Sequence, residues 1–124
     1  MEIVIWIATG ILAFAFLGGG FVKAFTSREN QKKMGLLFVD DFSENTIRLI
    51  GGLELLAVIG LIVPALVDIG TIFIPLAATG LALTMVGAIW VHYRRGENND
   101  IPKNAGLLVL AIFVAVMRFG PNSL

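Results

Sequence analysis

Residues 47–67, IRLIGGLELLAVIGLIVPALV, decide how this chain is built. A helix of about 20 mostly apolar residues crosses the hydrocarbon of a bilayer. This run has that length, and its only ionisable residues are Arg48 and Glu54, with Gly51 and Gly52 between them. A charge inside a membrane is unfavourable unless it is paired or faces a polar cavity. The stretch therefore predicts a spanning helix and marks the place where the protein does something besides span.

Three more runs have the same character. Membrane spans are expected over 3–24, 46–66, 69–93 and 102–120, all within one domain covering residues 1–124. The fourth is the shortest and borrows polar residues at both ends. Met1 and Glu2 precede a long uncharged run, without the basic start of a secretory signal, so the first run reads as a retained membrane helix. VPALVDIG gives a tight connection between spans two and three, and YRRGENNDIPKN a polar turn between spans three and four. In the long connection, Met34, Phe38 and Phe42 recur every four residues with Leu37 beside them, as in a short helix lying in the membrane interface. A soluble loop with scattered apolar residues is the alternative. Asp41 and Glu44 have the spacing of a capping box that would start span two.

The composition agrees. Of 124 residues, 57% are hydrophobic and 15% charged, too few charges to cover a soluble domain of this size. The fold class is all-α, an integral membrane four-helix bundle with a short interfacial helix in the first loop. The formal net charge is zero, so no basic footprint points to nucleic acid. There is no cysteine, which excludes disulfides, thiol redox pairs and thiolate metal ligands.

Basic residues are unevenly placed. Lys23, Arg28, Lys32, Lys33, Arg48, Arg94, Arg95 and Lys103 flank the first and third loops, and only Arg118 lies on the other side. Positive residues favour the cytoplasm, so both of those loops are expected inside a cell membrane and both termini outside. Arg118 is expected to snorkel outward, Arg94 and Arg95 to face headgroups or water, and Trp6 and Trp90 to anchor opposite interfaces. Gly80, Thr84 and Ala88, Gly52 with Gly60, and Gly10, Ala13 and Gly18–Gly20 are candidate helix contacts, within the bundle or in a homo-oligomer.

Because spans alternate direction, Lys23, Arg48, Glu54 and His92 fall in one leaflet. Positions 48, 51 and 54 form a slanted stripe, with Glu54 about 9 Å deeper than Arg48 and Gly51 leaving a notch between them. Two readings stay open. Glu54 pairs with Arg48, Lys23 or His92 and pins the bundle, or these residues floor a pocket in which Lys23, Arg48, Gly51, Glu54 and His92 contact a ligand. His92 alone is no metal site, because only Glu54 offers an obvious second ligand.

These residues resemble a known family. RLIGGLELLAVIGLIVP is similar to the R-x-x-G-x-x-E-L…G-L…P stretch of the DoxX-like membrane proteins. GGGFVKAF resembles their first-helix G-x-x-K, and GLALTMVGAIWVHYRRGE their third helix, ending in a histidine and basic residues. The resemblance marks Lys23, Arg48, Gly51, Glu54, Pro64 and His92. It implies a membrane subunit connected to quinone-linked sulfur oxidation or to redox-stress complexes; distant relatives act as assembly chaperones. Without cysteine, any thiol chemistry would have to come from a protein partner.

The expected function is to hold a lipophilic small molecule, quinone being the implied cofactor class, in a polar-floored pocket near the cytoplasmic leaflet. The alternative is a non-catalytic assembly factor or accessory subunit whose charges are structural. A transporter would require oligomerisation. No nucleophile–base set or cofactor motif appears, so a self-contained enzyme is the weakest expectation.

Overall fold

Lipid gives the backbone no hydrogen-bond partner outside the chain, so spanning segments close their bonds internally. The computed structural model, which describes residues 1–124, follows this constraint. Four long helices, α1 (Glu2–Phe25), α3 (Glu44–Val67), α4 (Phe73–Arg95) and α5 (Ile101–Phe119), are joined by short connections and one longer loop. Each is long and apolar enough to cross a membrane. Helix α2 (Arg28–Lys33) and a 3-10 helix (Leu37–Asp41) lie in the longer loop, and a 3-10 turn (Asn98–Asp100) leads into α5. There is no strand.

The helices run up and down in a ring. Helix α1 packs mainly on α3 and α4 on α5, while α3 with α4 and α1 with α5 close the circle. The core uses one stripe from each: Ala8, Leu12 and Phe16; Val58 and Leu61; Ala78, Leu81 and Met85; Ala111, Val114 and Ala115. Only 24 of 124 residues are buried, and Phe14, Leu56, Leu66, Leu83 and Val109 stand largely exposed. That outer surface suits hydrocarbon and would be untenable in water. The bundle has a loop end, where the first and third connections lie, and a terminal end with both termini and the Asp68–Ile72 turn.

Several local expectations are corrected. Ser43, not Asp41, caps α3, its hydroxyl accepting from Thr46 N–H at 3.2 Å. Glu44 instead pairs with Arg48 at 3.0 Å, and Asp41 with Arg95 at 2.8 Å. Helix α3 continues through a buried Pro64 to Val67. The third helix begins at Phe73 rather than Ile69, because Asp68 (φ 56°) and Gly70 (φ 66°) turn left-handed and interrupt it. The Met34–Phe38–Phe42 pattern does not form one interfacial helix. Gly35, at φ 94°, breaks it. Met34 and Leu37 are left exposed, while Val39 is fully buried and Phe38 and Phe42 turn inward.

The loop is fastened to α1. The buried Gln31 amide donates to the carbonyls of Val22, Lys23 and Thr26 at 3.1, 3.3 and 3.2 Å, tying the loop to the last turn of α1. Arg28 donates to Phe42 O. Lys32 pairs with Asp40 at 2.8 Å, and that hydrogen bond holds the Asp40 carboxyl below its usual range. The contribution of this pair is present above the pKa of a free aspartate and fades as acid protonates Asp40.

Small residues pack closely at fewer places than expected. Gly10, Gly52 and Gly80 face open space. Helix α4 turns Ile74, Ala78, Leu81 and Met85 inward, which rotates Gly80 outward. Gly60 meets Ala77, where an added Cβ would lie 3.2 Å away. The tightest approach is α1 on α3. A Cβ on Gly51 would lie 2.5 Å from Ala24 N and 2.7 Å from Gly20 O. Gly51→Ala is expected to lower stability by about 1–3 kcal/mol, as overpacking does, whereas Gly80→Ala should be neutral or slightly stabilising. Thermal unfolding in detergent would show this; equal midpoints for the two variants would refute it.

Candidate functional site

The Gly20–Gly51 approach sets the geometry of the loop end. It leaves no room between the two backbones: Lys23 stands beside Gly51 and Glu54 beside Gly20, so the two side chains meet across the contact. Lys23 Nζ lies 2.7 Å from Glu54 Oε1, with Glu54 2% and Lys23 14% exposed at the side chain. Of the three partners open to Glu54, the structure selects Lys23. Two charges removed from water need each other: losing one partner of a buried pair costs about 3–5 kcal/mol.

The other expected members separate. Gly51 is filled by the α1 backbone and offers no notch to a ligand. Arg48 turns away, donating to Ala24 O at 2.9 Å and to Glu44 at 3.0 Å with its side chain 43% exposed. It caps the end of α1, where a cation is favoured. His92 does not reach Glu54. Its Nδ1 lies 3.1 Å from Glu97 Oε1 and 3.7 Å from Asp100 Oδ2.

Lys23, Glu54 and His92 nevertheless line one cavity of about 650 Å³, within the range of about 300–1,000 Å³ typical of ligand pockets. Its walls come from all four long helices and the loop, and they are mainly apolar. Helices α3 and α4 touch at Gly60 and Ala77 and border the cavity nearer the loop end. There Ile50 and Leu53 on α3, with Gly87 and Trp90 on α4, form its outer edge. Leu53 and Trp90 are more than half exposed, so this edge is turned toward the surrounding lipid. Phe38 seats the loop on the cavity: its ring stands 5.7 Å from the His92 ring and 5.7 Å from Lys23 Nζ. The residue expected to lie in the membrane surface is part of the wall.

Sequence reasoning missed Asn104. It is 5% exposed, lines the cavity, and its Nδ2 has no hydrogen-bond partner. A buried amide left unpaired is unfavourable by about 1–3 kcal/mol. The signal was present: Asn104, Ala111 and Arg118 are seven residues apart on α5, share one face, and are all buried. The same face corrects Arg118. It does not snorkel outward but is 2% exposed at the side chain, pairs with Glu2 at 2.7 Å, donates to Asn122 O at 3.0 Å and stacks over Trp6 at 5.6 Å. The terminal end thus holds a charge pair of its own.

Glu97 and Asp100 were also missed. With His92 they form the one group able to hold a metal ion, their donor atoms within 4.8 Å of one another. Arg95 Nε already donates to Glu97 Oε1 at 3.2 Å, and that guanidinium competes with a cation for the same oxygen.

Lys23→Met should destabilise the protein by about 3–5 kcal/mol by stranding Glu54, and Lys23→Met/Glu54→Leu should regain most of that loss. A double-mutant cycle on unfolding in detergent measures it; additive losses would show that the two charges do not act as a pair.

A family model described as the DoxX-like family matches residues 7–114. This segment includes every residue that lines the cavity. No curated protein and no solved structure matches the chain. The match covers most of the sequence and agrees with the four apolar helices, so the chain is a multi-pass membrane protein that belongs to the DoxX-like family.

Proposed function

We propose that this protein binds a lipophilic molecule with a polar head in the cavity at its loop end. The observation that carries the reading is the unpaired Asn104 amide in a mainly apolar cavity that also contains the Lys23–Glu54 pair. Buried polar groups normally find partners. A ligand head that accepts a hydrogen bond would supply the one Asn104 lacks, and the apolar walls would hold the tail. The edge between α3 and α4 gives such a molecule a way in from the bilayer.

Quinone is the ligand class implied by the resemblance, together with a place in a membrane redox complex. Lys23 and Asn104 offer donors to a quinone carbonyl, and Glu54 offers a proton acceptor. Nothing in the cavity forms a catalytic set by itself, so in this reading a partner protein supplies the redox chemistry. By the eight-to-one placement of basic residues, the cavity lies toward the cytoplasm and both termini lie outside.

A second reading, an accessory or assembly subunit, draws on the completeness of the Lys23–Glu54 pair. It ties α1 to α3 with no ligand, as a purely structural pair would.

Mass spectrometry of small molecules that co-purify in mild detergent separates the two. A stoichiometric quinone or lipid is expected with the native protein. It should be lost in Ala88→Phe, which fills the cavity, and weakened in Glu54→Gln. Only bulk lipid in all three samples would reject the binding reading in favour of the structural one.

A further inference from the structure

The charges that line the cavity do not balance. Lys23, Arg94 and Lys103 are cations, and Glu54 is the single carboxylate among the lining residues. Lys23 and Glu54 neutralise each other at 2.7 Å. Arg94 and Lys103 form no ion pair within 4.0 Å. Asp41 shares a shallow hollow with Arg94 but is engaged by Arg95 at 2.8 Å. Arg94 instead stands over the Trp90 ring, 5.9 Å from its centre. Glu97 and Asp100 are outside the lining and face His92.

A further donor lies beside Lys103. Asn104 follows it in the first turn of α5, with its amide buried and without a partner. An uncompensated donor and two unpaired cations thus line one mouth, and all three favour negative charge.

Resting on the amphiphile reading above, we infer that the cavity selects a ligand with an anionic head, a carboxylate or a phosphate, with Arg94 and Lys103 as its counter-charges. The hydrocarbon tail lies along Phe16, Leu53 and Leu107. Asn104 donates to a head oxygen, a bond that is stronger to an anion than to a neutral carbonyl. Arg94 supplies a planar fork suited to either oxyanion, and Lys103 a point charge.

Native mass spectrometry on the delipidated full chain tests this with palmitate, phosphatidylglycerol, 1-hexadecanol, phosphatidylcholine and decylubiquinone. An anionic probe is expected to bind one to one, about tenfold or more tighter than its neutral counterpart. Preference for palmitate over hexadecanol identifies a free fatty acid as the source, and preference for phosphatidylglycerol over phosphatidylcholine a membrane phospholipid. Arg94→Gln/Lys103→Gln should abolish the preference, anionic probes then binding no more tightly than their neutral counterparts, with the unfolding midpoint unchanged, since both side chains are exposed. Equal binding of charged and neutral probes, or a preference that survives the double variant, overturns the inference and leaves the amphiphile reading standing. Failure of every probe, neutral ones included, overturns both.

Discussion

The tightest glycine contact in this molecule brings two backbones together. Gly20 on α1 and Gly51 on α3 leave no room for a Cβ at position 51, and in lipid such close contact is a principal source of attraction between helices. The consequences run outward from it. Lys23 and Glu54 are brought to 2.7 Å. The carbonyl of Ala24 comes within reach of Arg48. The end of α1 is held where Gln31 donates to its carbonyls, and that anchors the loop whose Phe38 completes the cavity wall.

Charge is confined to the two ends of the bundle and the core between is apolar. At the terminal end Arg118 and Glu2 pair beneath Trp6, joining the last helix to the first. At the loop end Lys23–Glu54 joins α1 to α3, while Asp41–Arg95 joins the loop to α4. Each buried cation has a carboxylate or a carbonyl within hydrogen-bond distance, as burial in a low-dielectric interior demands. One buried polar group breaks the pattern: Asn104 has no partner, at the mouth where the exposed Arg94 and Lys103 make no ion pair. That contrast is why the cavity reads as a binding site rather than as a packing defect.

The cavity has its shape because α3 and α4 meet at one end only. Gly60 against Ala77 allows close contact near the Asp68–Ile72 turn. Toward the loop end Trp90, Leu53 and Phe38 border a space with mainly apolar walls and a polar margin. The family match covers this whole region.

Much was legible in the order of residues alone. Run length and hydropathy specified four spanning helices, because a membrane permits few other structures. The spacing of Lys23, Arg48, Glu54 and His92 placed them at one end, because antiparallel spans bring those positions together. Rotation and pairing were decided by packing. Which carboxylate Lys23 meets, whether Arg48 turns in or out, and whether Arg118 is buried depend on how each helix is turned about its axis by contacts with its neighbours. Gly35 could not announce that it would take φ 94° and turn Phe38 inward. Asn104 became significant only when the fold enclosed it, because an unsatisfied hydrogen bond is a property of surroundings and not of sequence.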